Sequence, residues 1–125
     1  MPCEVNELLG DINFKKEEKL FQEAHDWYQK ALDIQPKNVE LWIKKGKCLE
    51  KLKELEHAVS CFTKAVQLAP ENPVAHFRLG WALFRQNKKD ESVEHLNKAL
   101  QLKPDFVDVL IRLGDVLFRE DDKLK

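Results

Sequence analysis

Basic and aromatic residues recur at fixed spacing in this chain, and they are the residues best suited to binding chemistry. Two rows of cations stand seven positions apart and repeat every 34 residues: Lys44, Arg78 and Arg112, then Lys51, Arg85 and Arg119. Between the rows stand Lys47, Phe77, Trp81 and Phe84. Guanidinium groups bind carboxylates and phosphates through paired hydrogen bonds, and aromatic pockets receive apolar side chains. The pattern predicts a surface that binds an extended acidic or phosphorylated peptide.

Motifs for catalysis or metal binding are missing from the sequence. It contains no glycine-rich phosphate loop, no CxxC, no HExxH and no GxSxG. His57 and Cys61 have the i, i+4 spacing of a metal-binding pair, but two ligands without a third do not make a site. We therefore predict a protein that is not an enzyme and that uses no cofactor and no metal.

Length and composition limit the class of protein. The 125 residues predict one domain, and 43% hydrophobic with 34% charged residues is typical of a helical protein with many surface ion pairs. The net charge of -1 gives no general attraction to nucleic acid or anionic membranes. No apolar run approaches the ~18 residues of a membrane span. Three cysteines without framework spacing favour a reducing compartment, so a cytoplasmic or nuclear location is expected.

The cations belong to an internal repeat with a period of 34 residues. The landmarks in register are Pro36, Pro70 and Pro104; Gly46, Gly80 and Gly114; and Ala31, Ala65 and Ala99. Such a period is the signature of a stacked-repeat protein. Each unit contains two apolar patterns of period near 3.6, which predict two helices. In the best-defined unit they cover roughly 39–52 and 55–68, with a turn at Lys53-Glu54.

The repeated glycines predict close helix packing. Glycine inside a helix costs about 1 kcal/mol relative to alanine, so three in one register need a structural reason. Without a side chain at Gly46, Gly80 and Gly114, the facing helix can approach more closely. We expect the repeated alanines, such as Ala65, to be the matching low positions on the second helix.

These residues resemble the signature of the tetratricopeptide repeat family. The matching positions in one unit are Trp42, Gly46, Leu49, Ala58, Phe62, Ala65 and Pro70, and in the next Gly80, Leu83, Leu96, Ala99 and Pro104. The resemblance implies an all-α, right-handed superhelical solenoid of helix-turn-helix units whose first helices line a concave groove. It implies about three and a half units and seven helices in a single domain, with units near 5–38, 39–72, 73–106 and 107–125.

The two ends depart from the pattern. Gly10 and Ala24 are two residues further apart than Gly46 and Ala58, so we expect either a longer turn around Glu17-Glu18 or an extended first helix. At the other end, a turn is expected at residues 121–123, and no partner helix follows it. Residues 106–118 are apolar on most sides. They form either a slightly apolar capping helix or, as we favour, part of a chain cut from a longer array, whose exposed face self-associates or finds another neighbour.

A protein-interaction scaffold is the favoured function, and two others were weighed. Family members that bind acidic chaperone C-termini share a carboxylate clamp; its positions here hold Glu7, Asp11, Lys44 and Val74, and Arg78 alone fits. The complete clamp is therefore absent. The alternative function is binding of single-stranded RNA, with bases stacked on Phe77, Trp81 and Phe84. The near-zero net charge argues against nucleic acid.

Overall fold

The computed structural model describes the backbone of residues 2–124 and the side chains of residues 16–118. The helices are α1 (Pro2–Ile34), α2 (Val39–Lys51), α3 (Leu55–Leu68), α4 (Pro73–Arg85), α5 (Lys89–Leu102) and α6 (Val107–Leu124). Between residues 2 and 124 no strand is formed, so the all-α prediction is confirmed. No helix in that range is both long enough and apolar enough to cross a membrane.

Local sequence signals start and end the helices of the two complete hairpins. The side-chain oxygen of Asn38 accepts a hydrogen bond from the Leu41 amide, and that of Asn72 accepts from Val74 and Ala75. These caps satisfy amides that have no partner inside the helix. The turns between the helices place Lys53 and Asn87, 34 residues apart, at φ of 65° and 66°. The turn predicted at Lys53-Glu54 is thus confirmed.

Successive helices pack as neighbours. The chain forms the hairpins α2–α3 and α4–α5, and contacts α1–α2, α3–α4 and α5–α6 connect them. The first helices also contact each other, α2 with α4 and α4 with α6. This is the stacking that the 34-residue period predicts, and it places the first helices side by side on one surface.

The close approach is confirmed at Gly46 and Gly80 but not at Gly114, where nothing lies within 4 Å of an added Cβ, and the facing residues differ from the prediction. A Cβ added to Gly46 would lie 2.5 Å from the Phe62 ring, and one added to Gly80 would lie 3.0 Å from Leu96. The glycines therefore make room for large residues of the second helix, and not for alanines such as Ala65. Phe62 and Leu96 are fully buried as a result.

Between residues 2 and 124 the structure has six helices, one fewer than the predicted seven. α1 is one continuous helix through Glu17-Glu18, which is the extended first helix and not the longer turn, and α6 continues through residues 121–123, where a turn was expected. Residues 15–20 are lysine, glutamate and leucine, which are strong helix formers. Lys53 nevertheless takes a left-handed φ of 65° in a similar run, so residue type alone does not explain why residues 15–20 stay helical.

Candidate functional site

The predicted cation rows lie on the first helices, which stand next to each other. Lys44, Lys47 and Lys51 of α2 are exposed, as is Arg85 of α4. The other two described members, Arg78 and Arg112, are partly exposed. Arg119 lies outside the described side chains. Three neighbouring helices thus contribute cations, and a ligand that spans the helices could contact several of them.

Trp81 occupies the middle of this surface and connects α4 to α6. The guanidinium carbon of Arg112 lies 4.4 Å from the centre of the Trp81 ring, and the Phe84 ring lies 5.1 Å away. Arg112 also forms a 3.5 Å ion pair with Asp115. A cation above an aromatic face is held by the ring quadrupole. The predicted residues Trp81, Phe84 and Arg112 are therefore brought together.

Glu50 of α2 interacts electrostatically with two arginines of α4, Arg78 and Arg85. Arg85 Nη1 donates to Glu50 Oε2 at 3.2 Å, and the Glu50 side chain is only 10% exposed. Burial raises the pKa of Glu50, while the charges of Arg78 and Arg85 oppose that rise. The Nε of Arg78 is buried and has no hydrogen-bond partner in the described part of the chain. The carboxylate of Glu50 thus neutralises part of the positive charge of the cation cluster, while the Nε of Arg78 keeps no hydrogen-bond partner among the described residues.

Phe77 is not on the open surface, which corrects the prediction that it contacts a partner. It is 7% exposed and packs against Phe106, with the ring centres 5.2 Å apart. Phe106 precedes α6 and covers the Phe77 ring. Phe77 therefore holds α6 in place, and it is not available to receive a side chain from a ligand.

The lysines of α2 line a pocket that sequence reasoning missed. It has a volume of about 320 Å³ and lies between α1 and α2. Its lining residues are Phe21, Ala24, Tyr28, Lys44, Lys47, Cys48 and Lys51. A complete first unit would have a separate first helix packed beside Tyr28, in the space where the pocket lies. The pocket was not predicted because such a unit was expected. Tyr28 stands 34 residues before Phe62, at the same repeat position, and this spacing was the signal that could have located the pocket.

The remaining reactive side chains do not gather into a metal site. Within the described residues, no three His, Cys, Asp or Glu side chains come together as metal ligands. His57 and Cys61 line a shallow pocket of about 490 Å³ together with Trp42. Cys48 and Cys61 are free, and burial raises the pKa of both thiols.

Comparison with known proteins agrees with this architecture. The tetratricopeptide repeat family model matches residues 39–72 and 73–106, which together are more than half of the chain. The chain belongs to the tetratricopeptide repeat family. Stacked helical hairpins and helix-packing glycines are therefore shared with other tetratricopeptide repeat proteins. No curated protein matches the chain.

Solved tetratricopeptide repeat structures resemble it closely. The first repeat domain of Spaghetti (RPAP3), bound to the HSP90 peptide SRMEEVD, is 25% identical with a TM-score of 0.78; the match covers 91% of this chain and 92% of that one. MamA is 28% identical with a TM-score of 0.74, covering 85% and 58% respectively. YrrB, described as having an unusual peptide-binding site, is 22% identical with a TM-score of 0.72, covering 77% and 50%. At that identity YrrB supports the fold alone.

Proposed function

We propose that the surface formed by α2, α4 and α6 binds an extended acidic or phosphorylated peptide segment of a partner protein. The chain would then act as a non-enzymatic protein-interaction scaffold. The observation that supports this most strongly is that three adjacent helices, α2, α4 and α6, each carry exposed or partly exposed cations, with Arg112 beside Trp81. Its geometry suits an extended ligand, because one peptide can cross the helices and meet a cation on each.

Each part of the surface has a distinct role in this proposal. The exposed amines of Lys44, Lys47 and Lys51 receive carboxylates or phosphates at one end. The partly exposed side chain of Arg78 contributes a positive charge in the middle. Trp81 and Phe84 offer partly exposed aromatic surface for an apolar side chain, as interface aromatics commonly do. Arg119 extends the cation row in sequence.

The similarity to Spaghetti supports a peptide ligand. The peptide named for that structure, SRMEEVD, contains three acidic side chains. The clamp positions Glu7, Asp11 and Val74 do not match in this chain, so we expect a different peptide register or a different acidic partner. Cys48 and Cys61 are free thiols, which supports the cytoplasm or nucleus as the place where the partner is met.

A binding experiment tests the proposal. Fluorescence anisotropy would be measured with labelled acidic, phosphorylated and neutral peptides of equal length, and with a single-stranded RNA. We expect acidic and phosphorylated peptides to bind, and Lys47→Glu with Arg112→Glu to weaken binding at least about tenfold, since charge reversal at an interface costs more than 1.4 kcal/mol. Lys98→Glu, an exposed charge reversal on α5, is the matched control and should leave binding unchanged.

Two results would overturn the proposal. One is the absence of peptide binding, or equal loss in the control and the double variant. The other is tight RNA binding that falls steeply with salt while acidic peptides stay unbound, which would show a nucleic-acid surface instead.

A further inference from the structure

In each complete unit, the second helix covers one face of the first helix. α6 is a first helix, and the corresponding face of α6 is exposed to solvent. Leu49 of α2 and Leu83 of α4 are each 4% exposed, whereas Leu117, at the same repeat position on α6, is 54% exposed. Gly46 faces Phe62, but a Cβ added to Gly114 would have no neighbour within 4 Å. α6 thus presents a complete docking face, with its glycine hollow empty.

The opposite surface is bare on α1. In the repeat register, Ala24, Trp27 and Tyr28 correspond to Ala58, Cys61 and Phe62 of α3. The α3 residues are 0%, 4% and 0% exposed because they face α2. Trp27 is 67% exposed, and Ala24 and Tyr28 are only partly buried. Among the described helices only α2 contacts α1, so no other helix covers this side.

The two bare faces are complementary, since they are the two halves of the contact that α2 and α3 make within one unit. We propose that α6 of one copy of this chain docks against α1 of a second copy, antiparallel and head to tail. Tyr28 of the second copy enters the hollow at Gly114 as Phe62 enters at Gly46. Trp27 of the second copy lies against Leu110, in the positions where the rings of His76 and His95 meet at 5.4 Å.

Charge at the same junction is also complementary. Within the chain, position 81 of α4 contacts position 112 of α6, where Arg112 lies 4.4 Å from the Trp81 ring. One repeat further along, Asp115 of α6 stands at the repeat position of Trp81. Lys44 of the second copy's α2 stands at the repeat position of Arg112. An exposed carboxylate and an exposed amine would therefore be adjacent. The pocket of about 320 Å³ between α1 and α2 is the space that the incoming α6 fills.

The helix lengths fit this arrangement. α2 ends at Lys51 because the chain must turn into α3, but α6 continues to Leu124 and α1 begins at Pro2. Helices from different copies need no connecting turn, so both continue past the turn position and lengthen the pair. Docking of unlike faces does not close on itself, and it produces open chains in which each copy extends the solenoid.

Sedimentation velocity of the whole chain, from about 1 µM to about 1 mM, tests the proposal. We expect the wild type to form dimers and longer species as concentration rises. Gly114→Leu fills the hollow on α6, and Trp27→Glu charges the face of α1; each should weaken association at least about tenfold. Both positions are open in the single chain, so the fold should survive. Val74→Glu removes an apolar side chain that is 39% exposed on α4, away from both faces, and should have no effect.

Mixing the two variants is the decisive measurement. Each variant keeps one intact face, so a mixture of Gly114→Leu and Trp27→Glu should form a 1:1 dimer and nothing larger. A wild type that stays monomeric throughout would overturn the proposal and leave the α6 face to another protein. A mixture that remains monomeric while the wild type associates would also overturn it, in favour of a symmetric contact. Gly114 and Trp27 are not in the proposed peptide surface, but a docked α6 would cover the pocket lined by Lys44, Lys47 and Lys51. Peptide binding is therefore measured on the Gly114→Leu variant, which should stay monomeric, so that loss of association and loss of peptide binding can be told apart.

Discussion

Gly46 lies against the ring of Phe62 with no room for a methyl group between them. A Cβ added to Gly46 would be 2.5 Å from Cε1 of Phe62. The ring is fully buried, so it cannot move into solvent to relieve the contact. The distance between α2 and α3 is therefore fixed by the absence of a side chain at one position.

Gly46→Ala should consequently destabilise the protein, although alanine is the better helix former. We expect a net loss on the order of 1 kcal/mol: overpacking a core costs about 1–3 kcal/mol, and helix propensity returns about 1 kcal/mol. Urea denaturation followed by circular dichroism measures the difference. Gly114→Ala is the matched control, since nothing lies within 4 Å of its added Cβ. It should be neutral or stabilising, and equal effects of the two variants would contradict this account.

The repeat period predicted the parts of the fold that depend on local sequence. It located the hairpins, the turn at Lys53-Glu54 and the close contact at Gly46. It left open whether the chain turns or stays helical around Glu17-Glu18, because Gly10 and Ala24 indicated an insertion in this unit. Spacing does not decide between the two: Lys53 turns with a φ of 65°, whereas the lysines of residues 15–20 are helical.

The candidate site was predictable to the same extent. Period and phase placed Arg78, Trp81 and Arg112 on adjacent helices correctly. They could not show that Phe77 is covered, because Phe106 reaches it from the loop before α6. The buried position of Glu50 beside Arg85 was equally hidden, since it depends on how closely α2 and α4 approach.

The buried pair His76 and His95 should make stability depend on pH. His76 Nε2 lies 2.8 Å from the carbonyl oxygen of Pro70, and the two Nδ1 atoms are 3.2 Å apart. Burial and the nearby His76 lower the pKa of His95 below its ordinary 6.5, against the opposing charges of Glu94 and Glu91. Well above pH 6.5 the His95 side chain is neutral in both the folded and the unfolded chain. As pH falls below 6.5 the unfolded chain takes up a proton that the folded chain resists, and stability is lost.

Thermal unfolding between pH 7.5 and pH 5 measures this dependence. The Tm of the wild type should fall across the range, and His95→Gln should flatten the curve because it removes the titrating group. His57→Gln, an exposed histidine on α3, should keep the wild-type slope. Equal slopes for His95→Gln and the wild type would count against the pair as the origin.

The thiols of Cys48 and Cys61 should be unreactive in the folded protein. Both are buried, and burial raises the pKa of each, so little thiolate is present near neutral pH. In a Cys3→Ser background, we expect a thiol reagent to label both at a rate that rises with urea and reaches that of a free cysteine on unfolding. Immediate labelling of either thiol without denaturant would show that the core around Phe62 opens readily.

Glu50→Gln should tighten peptide binding without harming the fold. The carboxylate of Glu50 pairs with Arg85 at 3.2 Å and so competes with any acidic ligand. Glutamine keeps a carbonyl oxygen for that hydrogen bond and removes the charge. A partly exposed ion pair contributes roughly 0.2–1 kcal/mol, so an acidic peptide should bind up to about fivefold more tightly. Glu56→Gln on α3 changes the net charge equally and should alter affinity much less.

The stability of Glu50→Gln relative to the wild type should also depend on pH. This dependence shows whether the cost of burying the carboxylate or its ion pair with Arg85 is larger. Burial raises the pKa of Glu50 above 4.5, so the folded protein favours the neutral carboxyl group. The folded state is therefore most stable, as far as Glu50 is concerned, below pH 4.5, and it loses that stability as pH rises through the folded-state pKa. Urea denaturation at pH 4.5 and pH 7 should therefore show Glu50→Gln gaining stability relative to the wild type at the higher pH. A relative loss at pH 7 would mean that the ion pair with Arg85 outweighs the cost of burying the carboxylate, and the predicted gain in peptide affinity would then be unfounded.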